Sequence, residues 1–339
     1  MRTIDLRSDT LTRPTPAMLE AMMRAEVGDD VWGEDPTVRG LEREAAERLG
    51  GEAGLFCPSG TMTNQVALRV HLSPGDEVIC APEAHIYNYE GGGIAANAGA
   101  SVRFAASDRG RFTAASAAAC IQADDPHYAR TRLVAVEDTC NRGGGTIWNA
   151  RELDALRALC DDRGLALHLD GARVFNRLVA TNEDPAAYGA RFDSISVCLS
   201  KGLGAPVGSV LIGSRDFIKE ARRVRKLMGG GMRQAGYLAA AGLYALRHHV
   251  ERLRDDHERA QRLAAALRAS PAVSDVLPVE TNIVIFEPVG GAPAFLQPMA
   301  ERGVRAAGMV DKVRWVTHLG VTDEDIDHVL RALEQVSPP

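Results

Sequence analysis

Short apolar runs that alternate with helical patterns constrain this chain more than any other feature. Residues 133–136 read as a strand, 150–162 as a helix and 166–169 as a strand. The stretch 192–199 alternates apolar and polar positions and reads as another strand, with 209–212 leading away as the next. Such alternation calls for a mainly parallel sheet covered on both faces, an α/β architecture. Ligands of such sheets gather beyond the carboxyl ends of the strands. Asp170, Lys201 and the Glu137-Asp138-Thr139 turn all fall there.

Lys201 is delivered by its strand into a turn of small residues, with Gly202, Gly204, Pro206 and Gly208 following at once. A flat ligand can approach backbone that lacks side chains. An amine held in a dry pocket loses basicity and, uncharged, forms a Schiff base with an aldehyde. Taken alone, a lysine at a strand end reads more readily as a solvated charge, and it is the rest of the chain that overturns this.

The 339 residues, 45% of them hydrophobic, suffice for one large domain with an appendage. A net charge of -6 with interspersed signs argues against a nucleic-acid surface, and no like-charge block suggests a membrane tail. The basic run Arg222-Arg223-Val224-Arg225-Lys226 reads as one face of a helix near an anionic group. No apolar run approaches the roughly 20 residues that span a bilayer, and the N-terminus lacks a signal peptide's apolar stretch, so the expected location is the cytoplasm. The six cysteines lack the paired spacing of a zinc site or a disulfide framework, and no metal is expected.

Residues 1–14 read as a polar, extended arm of the kind that packs on another subunit, followed by helices from 17 to 26 and from 37 onward. Pro58-Ser59-Gly60-Thr61 closes a short apolar run and opens a helix, which aims unpaired N–H groups and a positive helix end at one spot suited to phosphate. An ordinary helix cap gives the same pattern. Residues 77–80 read as a strand, and His85, Tyr87, Tyr89 and Glu90 follow it. Gly91-Gly92-Gly93 is no dinucleotide fingerprint, because no apolar strand precedes it. Beyond Gly231, apolar positions from Leu243 to Leu267 predict one long helix leading into a smaller α+β unit. Strands are expected within 276–286 and at 312–316, and Thr322 opens a last helix.

With these pieces placed, the sequence resembles the low-specificity L-threonine aldolases. The likeness is carried by Asp5-Leu6-Arg7-Ser8-Asp9-Thr10, Gly33-Glu34-Asp35-Pro36, Pro58-Ser59-Gly60-Thr61-Met62, His168-Leu169-Asp170-Gly171-Ala172-Arg173, Leu199-Ser200-Lys201-Gly202 and Gly229-Gly230-Gly231-Met232-Arg233-Gln234, in order along nearly the whole chain. The resemblance implies a large domain of the PLP-dependent transferase type, with a mainly parallel seven-stranded sheet, and a smaller C-terminal α+β domain. The expected divisions are an arm at 1–14, a large domain at 15–250 and a small one at 251–339. The implied cofactor is pyridoxal 5'-phosphate (PLP), with Lys201 as its Schiff-base lysine and Asp170 as partner of the ring nitrogen. His85 would stack on the ring, and Gly60 and Thr61 would hold the phosphate with help from Arg233 across a subunit boundary. Ser8, Arg173 and Arg314 would grip the substrate carboxylate, Arg173 also bordering the cofactor. An arginine fork makes paired hydrogen bonds to two oxygens.

The implied reaction splits a β-hydroxy-α-amino acid such as L-threonine or L-allo-threonine into glycine and an aldehyde, reversibly, in a homotetramer built from dimers. The group that takes the hydroxyl proton stays open among His85, His127 and Glu90. Two other readings keep the same fold: β-elimination or transamination on the same cofactor, and a PLP-binding scaffold without turnover. Cys140 stands where relatives commonly carry a histidine, at the level of the sheet expected to meet the cofactor.

Overall fold

The computed structural model describes residues 3–336. Its main sheet comprises β1 (Ala53–Cys57), β2 (Asp76–Cys80), β3 (Ser101–Phe104), β4 (Arg130–Glu137), β5 (Ala166–Gly171), β6 (Ser194–Cys198) and β7 (Ser209–Gly213). The order is β1-β7-β6-β5-β4-β2-β3, and only β7 runs against its neighbours. The expected α/β sheet is therefore present, with seven strands.

Every residue of β2, β6 and β7 is buried, which is what short apolar runs between two covering layers require. Adjacent residues of β1 go to opposite layers: Phe56 packs with Leu41, Val134 and Val197, whereas Leu55 packs with Val66, Leu211 and Ile218. Each such fully buried side chain contributes about 1.5–3 kcal/mol relative to exposure. Between β6 and β7 the chain must double back under Phe56. A Cβ on Gly208, whose φ is 113°, would fall 2.4 Å from the Phe56 ring, so only glycine fits there.

Four helices border or brace the strand ends. They are α1 (Gly60–His71), the single turn α2 (His85–Asn88), α3 (Gly236–His248) and α4 (Leu253–Ala269). The pattern from Leu243 to Leu267 predicts one helix, but the chain breaks between His248 and Leu253. There the His249 Nδ1–H donates to the Leu203 carbonyl at 2.7 Å. Leu203 belongs to the turn after Lys201, so a tertiary hydrogen bond at the break ties this helix pair to that turn.

The smaller unit is a four-stranded antiparallel sheet: β8 (Val273–Val276), β9 (Ile283–Pro288), β10 (Ala307–Met309) and β11 (Lys312–Val316), in the order β8-β9-β11-β10. Its core joins Leu263, Phe286, Phe295, Trp315 and Ile326. The expected final helix runs from Asp323 to Leu333 behind a Thr322 capping box.

The N-terminal segment departs from its reading as a polar arm. Ile4 and Leu6 are buried in the small core, and Ile4–Asp5 pairs in parallel with Val304–Arg305. Two apolar side chains at alternate positions suffice to dock it within its own chain. All six cysteines are free thiols.

Candidate active site

Register brings the site together. Glu137 at the end of β4 lies opposite Asp170 on β5, and Asp170 lies opposite Ser196 on β6. Lys201 comes three residues after β6 ends. Over these strand ends is a pocket of about 360 Å³ whose lining includes Lys201, His85, Tyr89, Glu137, Arg173 and Arg314. A larger hollow of about 560 Å³ lies at the other end of β5 and β6, and its lining contains no lysine or arginine.

Behind the pocket stands a buried polar group. Asp170 Oδ1 accepts the Ala172 N–H at 3.2 Å, and Oδ2 accepts from Asn64 Nδ2 at 2.9 Å. Arg173, three residues on, bonds Asp9 and not Asp170. The Asn64 amide also donates to Glu90 Oε1 at 2.8 Å, while Gln65 donates to Glu90 Oε2 at 2.6 Å. Glu90 receives the His85 Nδ1–H at 2.9 Å. It sits behind the imidazole and does not line the pocket, so any part it plays is exerted through His85. Burial opposes a charge on His85, but the Glu90 hydrogen bond and the charges of Asp170, Glu90 and Glu137 outweigh it and raise the imidazole pKa. Burial first, and then the Asp170 charge, raise that of Glu137, whose oxygens accept the backbone N–H groups of His85 and Asn141. His85, Glu90 and Asp170 bring ligand-type atoms within 4.8 Å of one another. The Asn64 amide already donates to both carboxylates, so this is a hydrogen-bonded cluster.

The opposite wall is cationic. Arg173 makes a paired bond to Asp9, Nε to Oδ2 at 2.8 Å and Nη2 to Oδ1 at 2.7 Å, with both side chains buried. Burial raises the proton affinity of Asp9, but Arg173 overcomes it and holds the Asp9 pKa at about 2. Arg314 Nη1 donates to Asn141 Oδ1 at 2.6 Å and Nη2 to the Arg7 carbonyl at 3.0 Å, while its Nε is buried without a partner. Burial and then the nearby Arg173 charge lower the Arg314 pKa. Ser8 lines the same pocket, and its Oγ accepts from the Thr10 N–H and hydroxyl.

At the start of α1, the Ser59 hydroxyl takes the Met62 N–H and the Ser59 carbonyl takes that of Thr63. This leaves the N–H groups of Gly60 and Thr61 directed off the helix end. A Cβ on Gly60 would lie 3.6 Å from Ser209 Oγ and 3.9 Å from Cys198 Sγ. Ser209 Oγ is buried beside the Cys198 thiol and has no hydrogen-bond partner of ordinary geometry among the described residues. Short backbone, helix-end donors and a spare hydroxyl together form an anion cradle next to the strand that leads to Lys201.

Two expected residues lie elsewhere. His127 is exposed and bonds Asp125 at 2.6 Å, three residues before β4 begins. Eight residues of strand, roughly 25 Å, separate it from the pocket end of that strand. Arg233 is more than half exposed and bonds Asp29 at 2.9 Å. Cys140 is buried against Gly110, away from the pocket lining. Glu137 belongs to the turn already placed at the strand ends, whereas Asn64, Asp9 and Asn141 complete the site without having been singled out in the sequence. Each of the three lies near a residue that was: Asn64 one helical turn beyond Thr61, Asp9 next to Ser8, and Asn141 next to Cys140.

The chain matches the family model described as beta-eliminating lyase over residues 5–289, and it belongs to that family. It is 47% identical over 330 residues to the low specificity L-threonine aldolase of Escherichia coli strain K12, covering 96% of this chain and 97% of the relative. To the probable low-specificity L-threonine aldolase 2 of Arabidopsis thaliana it is 41% identical, covering 99% and 98%. Within the lyases, then, its place is among the low-specificity L-threonine aldolases. A solved threonine aldolase from Leishmania major, 22% identical, shares the fold with a TM-score of 0.85 over 98% of this chain and 99% of the other.

Proposed function

We propose that the chain is a PLP-dependent aldolase that cleaves L-threonine, L-allo-threonine and related β-hydroxy-α-amino acids to glycine and an aldehyde. The observation that carries this reading is one pocket holding Lys201 and two arginines, one of them with a buried, unpartnered Nε–H. Asp9 neutralises Arg173, so Arg314 is left to meet the single charge of an amino-acid carboxylate. The curated relatives bear the same activity in their names.

The residues present fit the cofactor. Lys201 would hold its aldehyde carbon, Asp170 its ring nitrogen and His85 its ring face, while Gly60, Thr61 and Ser209 would take the phosphate in the cradle at the start of α1. Bound there, PLP supplies an electron sink for the pair released when Cα–Cβ breaks. The rest falls to the chain. Arg173, Arg314 and Ser8 hold the substrate carboxylate and so fix which Cα bond is aligned for cleavage. With His85 Nδ1–H committed to Glu90, Nε2 is the ring atom able to take the β-hydroxyl proton. Glu90 acts by orienting that ring.

Arg233 and His127 lie too far out to serve their own pocket, so any role they have is in another copy's site, within a homotetramer. No helix among the described residues is long and apolar enough to cross a membrane, which suits an enzyme working in the cytoplasm. The test is to incubate the PLP-loaded protein with L-threonine, L-allo-threonine and phenylserine and assay glycine and aldehyde. Ketobutyrate and ammonia without glycine would replace this reading with β-elimination, and no product from any of the three would replace it with a binding scaffold.

A further inference from the structure

Four side chains that the mechanism does not use, three of them buried and His71 partly so, form an unbroken line across the sheet. His71 Nε2 lies 2.8 Å from Ser194 Oγ, which lies 2.8 Å from His168 Nδ1. His168 Nε2 lies 3.2 Å from Asn64 Oδ1, and the Asn64 amide reaches Asp170 and Glu90. Asn64, His168, Ser194 and Asp170 are each 3% exposed or less. The line begins at the large hollow beneath the strands, where His71 stacks on Phe217, and ends at the two carboxylates behind the pocket.

Chemistry fixes the direction of this line. Asn64 faces two carboxylates, which only accept, so its NH2 points at them and its Oδ1 points at His168. Burial pushes the His168 pKa down to about 3 and that of His71 down to about 4, so each ring carries one proton near neutral pH. The His168 proton then sits on Nε2, facing Asn64 Oδ1. His168 Nδ1 accepts the Ser194 hydroxyl, and Ser194 Oγ accepts the His71 Nε2–H. Only the Ser194 carbonyl, also near His168, would favour a proton on Nδ1.

We propose that Asn64 is a positioning residue that holds Asp170 as a charged acceptor for the cofactor ring, and that it is the last link of a one-way hydrogen-bond chain from His71 through Ser194 and His168. Every dipole in the chain points its positive end at the Asp170 and Glu90 carboxylates. The need is physical: Glu90, Glu137 and Asp170 share one buried region, where carboxylate oxygens cut off from water need aimed hydrogen-bond donors. The groups facing Asp170 are Glu137 from β4, Glu90 and His85 from the segment after β2, His168 from its own strand and Asn64 from α1. Among these, Asn64 alone donates directly to both Asp170 and Glu90.

The inference rests on the reading of Asp170 as ring-nitrogen partner, and its test separates the two. Neutron diffraction from crystals of the PLP-loaded protein should show deuterium on His168 Nε2 and the Asn64 amide turned to the carboxylates. Deuterium on His168 Nδ1 alone would overturn the chain whatever the enzyme does. Asn64→Asp keeps the shape but cannot donate to both carboxylates. It should lower kcat about 10- to 100-fold, the scale of lost hydrogen bonds to charged groups, with KM within about threefold and a changed visible absorbance of the loaded protein. Ser194→Ala, far from the pocket, should lower kcat severalfold with KM unmoved and decides the matter if Asn64→Asp fails to fold. A parental kcat in both variants sinks the inference, whereas a parent that binds no PLP sinks the reading beneath it.

Discussion

Replacing Asp9 with asparagine tests how the N-terminal segment completes the site. Asp9 reaches Arg173 from a segment otherwise packed on the small core, and both partners are buried. Asparagine keeps the shape and one acceptor oxygen but removes the charge. The Asp9 pKa lies at about 2 against an ordinary 3.8. That gap of about 2 units corresponds to roughly 2–3 kcal/mol favouring the charged form. Stranding one member of a buried pair costs about 3–5 kcal/mol in general, so Asp9→Asn should lose about 2–4 kcal/mol near pH 7. The sign follows from the lowered folded value. The stabilisation is complete above pH 4 and is lost as the pH falls toward 2, so the difference from the parent should shrink to roughly half by pH 3. Urea unfolding at fixed protein and PLP concentrations from pH 7 to pH 3 measures it. The loosened Arg173 should also raise KM for threonine about tenfold. A stability loss under about 0.5 kcal/mol at pH 7, or one as large at pH 3, would refute the reasoning.

Three further perturbations address the pocket. Lys201→Ala should leave the protein without the visible absorbance that PLP gives the parent and without glycine production; retained colour through another lysine would remove Lys201 from its role. Arg314→Ala deletes the guanidinium whose Nε is unpartnered, and should raise KM for threonine about 10- to 100-fold with a smaller fall in kcat, as steady-state kinetics would show. Glu90→Gln removes the carboxylate that raises the His85 pKa, so the acid limb of the kcat/KM profile should move to lower pH. An unmoved limb would assign it to another group.

The sheet was legible because its strands are short apolar runs bounded by turns, and burial on both faces needs nothing more specific than that. Lys201 and Asp170 were legible because strand ends are where such sheets bind, and residue order alone puts them there. His127 and Glu90 were legible as residue types, but position changed their meaning. One lies at the wrong end of β4, and the other is turned behind His85. The single long helix failed because its apolar spacing continues through a break where His249 bonds the turn after Lys201.

The sequence by itself determined the α/β alternation, the lysine-bearing turn, the helix-end cradle at Gly60 and the identity of the cationic residues, because each depends on local spacing and residue chemistry. Tertiary structure alone decided that Asp9 neutralises Arg173 from 164 positions away and that Asn64 spans Asp170 and Glu90. It also decided that Arg314 keeps one donor unspent. Those are matters of which groups share a buried volume, and charge pairing over a few ångströms carries no periodic signature along the chain.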